Sequence, residues 1–219
     1  MYFQFGKPKS LYGLQIPHQE MAQLKRNNQI AVIDDMPFAK AAALRNHKFS
    51  IVELGDIRSV DQIAEYPIII CDIRGVGKAL DSDLEGAHLI AEMRKDYPDK
   101  YLVSYSGAQF DVSYNESLRN ADASLAKDTS TEQWVSALET GITKVANPRE
   151  RWLRLRKTFL DRGVELHQVF KLEQSFITAV EERDATKFKV EGLPPEVRQI
   201  AIGFAKIALV QIIKSVAGT

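Results

Sequence analysis

Cysteine is almost absent from this chain. Cys71 is the only one in 219 residues, which excludes an internal disulfide and any cysteine-rich zinc site. It lies inside an apolar run and reads as a small core residue. Histidine is scarce too. His18, His47, His88 and His167 lie far apart, without metal-ligand spacing, and no Ser-His-Asp order stands out. Excess charge of either sign is missing: 29 basic residues balance 29 acidic ones and the pI is about 6.9. Nucleic-acid or membrane binding therefore has no global electrostatic support. Nothing at the N-terminus resembles a signal peptide. The longest apolar stretch, 199–217, is interrupted by Lys206, Gln211 and Lys214, which argues against a membrane span. Repeats and low-complexity tracts are lacking. The expectation is a soluble, cytoplasmic globular protein in a reducing setting.

What is present is a β/α alternation that starts at Gln29. Apolar runs at 29–34, 49–54, 67–71 and 101–105, and a weaker one at 123–126, read as five strands. Residues 37–47, 84–96 and 131–144 read as helices; 60–64 and 109–118 read as shorter or weaker ones. Pro37 suits a first helical turn, and Thr129 or Ser130 suits a cap. Short crossovers between parallel strands favour an α/β, flavodoxin-like five-stranded parallel sheet of order 2-1-3-4-5, with helices on both faces.

Acids mark the ends of these strands. Asp34-Asp35 follows Ile30-Ala31-Val32-Ile33, Asp72 follows Ile68-Ile69-Ile70-Cys71, and Lys127 follows the fifth run. Strands one and three flank the switch point of such a sheet, where α/β folds place their sites. Three carboxylates and a lysine there suit Mg²⁺ and a phosphoryl group. Each residue alone would read as a turn former, a cap or a solvated side chain. Their occurrence together and in order carries the signal.

The pattern changes after Asn147-Pro148. Residues 149–160, 164–182 and 195–216 read as helices. The second has Leu166, Val169, Phe170, Phe176, Ile177 and Val180 on one stripe, with Glu173 interrupting it. The third is apolar on nearly every face, so burial nearly all round is expected, against another subunit or the α/β domain. Arg149, Arg151, Arg154, Arg156, Lys157 and Arg162 crowd the first helix. The expected organisation is an N-terminal extension 1–28, an α/β domain 29–146 and an all-α region 147–219.

Residues 29–145 resemble the receiver domain of two-component response regulators. In the resemblance Asp34 and Asp35 match the acidic pair that helps to hold Mg²⁺, and Asp72 the phospho-accepting aspartate. Ser106-Gly107 matches the hydroxyl residue followed by a small one, and Lys127 the lysine that contacts the phosphoryl group. Leu84-Glu85-Gly86 is similar to the segment that opens the third helix. Three positions depart from the family pattern. Ile73-Arg74-Gly75-Val76-Gly77 lacks the usual proline, Asp128 replaces the proline after the lysine, and Ser124 stands where the family has a relay aromatic.

The resemblance implies a phosphorylation-controlled signalling protein, not an enzyme. Asp72 would accept phosphate from a histidine kinase or phosphotransfer protein, with Ser106 and Lys127 assisting and Mg²⁺ on Asp34, Asp35 and Asp72. The helical region would serve self-association, most simply as a homodimer, or partner binding. Two other readings stand beside it: a nucleic-acid-binding regulator using the basic helix 149–162, and a degenerate receiver acting as an interaction module. A Mg²⁺-dependent phosphatase is disfavoured, because Arg74 sits where that chemistry needs a second aspartate two residues after the first.

Overall fold

The computed structural model describes residues 7–78, 85–107 and 119–217, which divide into two compact units. One is Gln19–Ala146. The other is Met1–His18 together with Asn147–Thr219. Of the stretch 1–28, residues 1–18 group with the helical unit, and Gln19 onward, with helix α1 Met21–Asn27, groups with the α/β unit.

The first unit is a five-stranded parallel sheet of order β2-β1-β3-β4-β5. Its strands are β1 Gln29–Ile33, β2 Ser50–Glu53, β3 Ile68–Asp72, β4 Tyr101–Ser106 and β5 Ala123–Ala126. Between them run α2 Ala41–Asn46, a 3-10 turn Val60–Ile63 and α3 Glu85–Asp96, and α4 Thr131–Ala146 closes the unit. The helix expected over 109–118 lies outside the described residues.

The order of burial along the strands explains the two-sided cover. Successive side chains of a strand point to opposite faces. Ile30, Val32, Ile68, Ile70, Tyr101, Val103 and Tyr105 pack with α2 and with Trp134, Leu138, Ile142 and Val145 of α4. Ala31, Ile33, Ile69, Cys71 and Leu102 take the other face, against Ile57, Ile63 and the Ala87, Leu89, Ile90 and Met93 stripe of α3. A strand covered on both sides has no polar alternation to show, hence the unbroken Ile68-Ile69-Ile70 run. Helix α2 starts later than Pro37 suggests. The Phe38 N–H donates to the Glu53 carboxylate at 3.0 Å, and the Ala41 N–H closes a turn on the Phe38 carbonyl at 2.9 Å before the helix begins.

The second unit holds α5 Pro148–Asp161, α6 Leu166–Glu181, α7 Pro195–Lys206 and α8 Ala208–Ala217. Asn147 caps α5, its side chain accepting from the Arg149 N–H at 2.9 Å. Trp152 is the centre of the core: it stacks on Phe176 at 4.9 Å and meets Phe188 edge-on at 6.2 Å. Its Nε1 donates to Glu173 at 2.7 Å, so the polar interruption of the α6 stripe satisfies a buried indole.

Two expectations are corrected in this unit. The stretch 195–216 is not one helix buried all round. It is broken at Ile207, and it buries Val197, Ile200, Ala201, Phe204, Leu209 and Ile212 while Ile202, Val210 and Ile213 are only partly covered. Four helices and the Leu11–Leu14 segment supply a core that three helices were not expected to reach. The α6 stripe also splits: Val169, Phe176, Ile177 and Val180 are buried, whereas Leu166 and Phe170 are exposed. Pro195–Ala217 is long and apolar enough to cross a membrane by length and composition, with 33% of its most apolar window buried in the structure.

Candidate metal and phosphoryl site

The parallel register sets the acids side by side. Ile33 pairs with Cys71 and Asp72 pairs with Tyr105, so Asp34 leaves β1 at the level where Asp72 ends β3. Strand parity adds to this. Asp34, Asp72 and Tyr105 each fall two residues beyond Val32, Ile70 and Val103, on the sheet face that packs against α4. Oxygen atoms of Asp34, Asp35 and Asp72 lie within 4.8 Å of one another. Asp34 and Asp72 are buried, and Asp35 is exposed. Like charges so close repel, and a hard cation with oxygen ligands is their natural complement.

Local bonds hold the carboxylates in place. Asp34 accepts from the Met36 N–H at 2.9 Å on Oδ1 and from the Tyr105 hydroxyl on Oδ2. Asp72 accepts from Lys127 Nζ at 2.6 Å on Oδ2 and from the Arg74 N–H at 3.3 Å on Oδ1. Lys78 approaches Asp35 at 3.5 Å. Lys127 is delivered by β5, whose Ala126 pairs with Ser106, and its own N–H donates to the Ser106 carbonyl at 2.9 Å. Ser106, Lys127 and the three acids therefore share one end of the sheet.

Two glycines make the approach possible. Gly75 sits at φ +82°, and a Cβ there would come within 2.6 Å of the Asp35 carboxylate. At Gly86 a Cβ would lie 1.9 Å from the Asp72 carbonyl oxygen, a backbone atom that cannot step aside. Glu85, just before it, is held at φ +44°, and its carboxylate accepts from the Gly75 N–H at 2.7 Å. A non-glycine residue in that region stores strain, and such strain collects around functional loops.

The electrostatics follow from this crowding. Burial works to lower the Lys127 pKa, but the hydrogen bond and charge of Asp72, with Asp34 and Asp35 behind it, win and raise it. Lys127 stays an ammonium group. Burial, then the bond to Asp34 and the charges of Asp34 and Asp72, push the Tyr105 phenol far up, so it remains a donor. Burial and the neighbouring Asp72 likewise push up the Cys71 thiol, which fits an inert core residue.

Sequence reasoning missed Tyr105, Glu85 and Lys78. For Tyr105 a signal existed: counted in steps of two from the apolar core of β4, it falls opposite Asp72. Its ring meets Phe38 at 5.3 Å and Trp134 at 5.8 Å, and Phe38 meets Trp134 at 5.4 Å, all edge to face. Trp134 Nε1 is buried there without a hydrogen-bond partner among the described residues. At the expected relay position, Ser124 instead shares a 2.7 Å hydrogen bond with Ser104.

No protein-family model matches the sequence, and no curated protein does either. Solved structures similar to the chain are receiver domains of response regulators. The BeF3-activated N-terminal receiver domain of RstA from Klebsiella pneumoniae is 22% identical, covering 52% of this chain and 98% of its own, with a TM-score of 0.46. A CheY-like receiver domain protein from Methanospirillum hungatei is 16% identical over 53% of this chain and 94% of its own, at 0.42. A response regulator from Burkholderia pseudomallei, solved with a phosphorylated aspartic acid, calcium ion and citrate, is 18% identical over 72% of this chain and 93% of its own, also at 0.42. Response regulator receiver domains are thus what the chain is similar to, and its helical region has no recognised family.

Proposed function

We propose that the Gln19–Ala146 unit is a phosphoryl-accepting signalling domain with Asp72 as the acceptor. The single observation that carries this reading is the cluster itself: three carboxylates within 4.8 Å of one another, with the Lys127 ammonium 2.6 Å from Asp72. Its donor set is all hard oxygen, which fits Mg²⁺ held by Asp34, Asp35 and Asp72. Bound there, Mg²⁺ would neutralise charge on the incoming phosphoryl group.

The chain's own residues do the rest. Asp72 Oδ attacks the phosphorus of a phosphohistidine on a histidine kinase or phosphotransfer protein. The N–P bond breaks, and its electron pair stays on the imidazole. Lys127, already paired with Asp72, follows the new negative charge onto a phosphoryl oxygen. The Ser106 hydroxyl, one residue beyond the Asp72–Tyr105 pair, donates to another and draws its loop inward. Phosphorylation then acts as a switch in the cytoplasm, and the helical unit carries the output by self-association.

The test uses a small acyl phosphate as donor in the presence of Mg²⁺. Intact mass should rise by one phosphoryl group in the wild type and stay unchanged in Asp72→Asn. Equal labelling of the two proteins would overturn the assignment.

The nucleic-acid reading draws less support from the basic helix. Arg151 is buried, Arg149 donates to the Leu14 carbonyl at 2.5 Å, Arg156 pairs with Glu173 at 3.3 Å and Lys157 with Asp161 at 2.5 Å. Four of the six basic side chains thus have partners or burial within their own unit, although Lys157 stays 78% exposed.

A further inference from the structure

We propose that Tyr105 is the residue that senses occupancy of the acidic cluster and passes it to helix α4 through Phe38 and Trp134. The inference rests on the cation and phosphoryl reading above and adds the part that reading lacks: a route out of the site.

Tyr105 touches the site twice. Its hydroxyl donates to Asp34 Oδ2, and its ring lies beneath the Lys127 ammonium, 5.2 Å from the centroid. Both an acid and the lysine of the site are therefore in contact with one buried side chain, which is 3% exposed. Any change that re-aims Asp34 or draws Lys127 toward a new anion removes a partner of Tyr105. Hydrogen-bonded supports of ligating carboxylates also set cation affinity, and their loss typically costs 10–100-fold. Tyr105 is thus a positioning residue for Asp34 as well as a sensor.

The route onward is a closed triangle of rings. Tyr105, Phe38 and Trp134 meet edge to face at 5.3, 5.4 and 5.8 Å, so each ring is in contact with the other two. Phe38 lies ahead of α2, and Trp134 sits in the first turns of α4, fully buried. Among the described residues Trp134 Nε1 has no hydrogen-bond partner, so packing against Tyr105 and Phe38, not a polar bond, holds the indole in place. The strand that would bear a relay aromatic in the resembled family carries Ser124, and Ser104 already holds that hydroxyl.

The experiment is fluorine NMR on the full chain carrying 5-fluorotryptophan, with calorimetric Mg²⁺ titration alongside. The two tryptophans give two resonances, assigned with Trp134→Phe, and Trp152 serves as the internal reference. In the wild type, Mg²⁺ should shift the Trp134 resonance and leave Trp152 still. Tyr105→Phe keeps the ring, so it should fold; Mg²⁺ affinity should fall about tenfold, and Trp134 should no longer follow the cation. Phe38→Leu keeps the Tyr105–Asp34 bond, so its affinity should stay near wild type while the Trp134 shift is at least halved. A Tyr105→Phe protein that binds Mg²⁺ as tightly as wild type, or still moves Trp134, overturns the inference and leaves the phosphoryl reading intact. A wild type that takes up no Mg²⁺ by calorimetry overturns both.

Discussion

At the residue scale, Lys127 and the three carboxylates balance one another. The Lys127–Asp72 pair is asymmetric: the lysine side chain is 44% exposed and the carboxylate 3%. Solvent screens the pair, so its net worth is about 1 kcal/mol at most. Removing the ammonium leaves Asp72, Asp34 and Asp35 with uncompensated repulsion, and a cation then has more to relieve. Lys127→Met should therefore melt a few degrees below wild type without Mg²⁺ and gain more from saturating Mg²⁺ than wild type does. The readout is a thermal melt with and without the cation; an equal Mg²⁺ gain in both proteins would count against a cation site at these acids. The pH sense is fixed by the raised lysine pKa. The pair contributes fully below the ordinary value of 10.5 and is lost only as pH rises through the higher folded value, so it is constant through neutral pH.

At the scale of elements, most of the sheet was legible, for a physical reason. Strands buried on both faces are continuous apolar runs, and 29–34 and 67–71 have that form. Asp34, Asp35, Asp72 and Lys127 were legible because strand ends are places the topology brings together. Boundaries were less so. Pro37 signals a helix start, but α2 begins at Ala41, after a turn closed by the Ala41 N–H on the Phe38 carbonyl. Tyr105 was overlooked because an aromatic within an apolar strand reads as core, and only the register shows that it faces an acid. The long C-terminal apolar segment misled for the converse reason: composition does not reveal a break at Ile207. Glu53 offers a test at this scale, since it ties the end of β2 to the approach of α2. The Phe38 N–H first, and then Arg45, hold its carboxyl below the ordinary 4.5. A lowered carboxyl stabilises the fold above its unfolded pKa, and the benefit is lost as pH falls through the folded value. Glu53→Gln should cost stability at pH 7 and show a shallower loss below about pH 4.5, read from urea midpoints across pH.

At the scale of the whole molecule, the expectation of a dimer survives as a proposal, but its motive moves. Ile200, Phe204, Leu209 and Ile212 are buried in the helical unit's own core and are not waiting for a partner. Part of the apolar surface left in water lies on α5 and α6. Leu160, Leu166 and Phe170 are 39%, 64% and 37% exposed, three of the five large exposed apolar residues among those described. Arg156, Leu166, His167, Val169, Phe170 and Glu173 line a groove of about 540 Å³ there. A two-fold interface must be self-complementary, and an apolar groove bordered by the exposed Leu166 and Phe170 can receive the same two side chains from a second copy. Light scattering should give a dimer for the full chain at micromolar concentration. Leu166→Glu with Phe170→Glu should give a monomer with a nearly unchanged melting temperature, because neither side chain belongs to the buried core. A full chain that is already monomeric would remove self-association from the proposal, and a double variant that stays dimeric would move the interface off this groove.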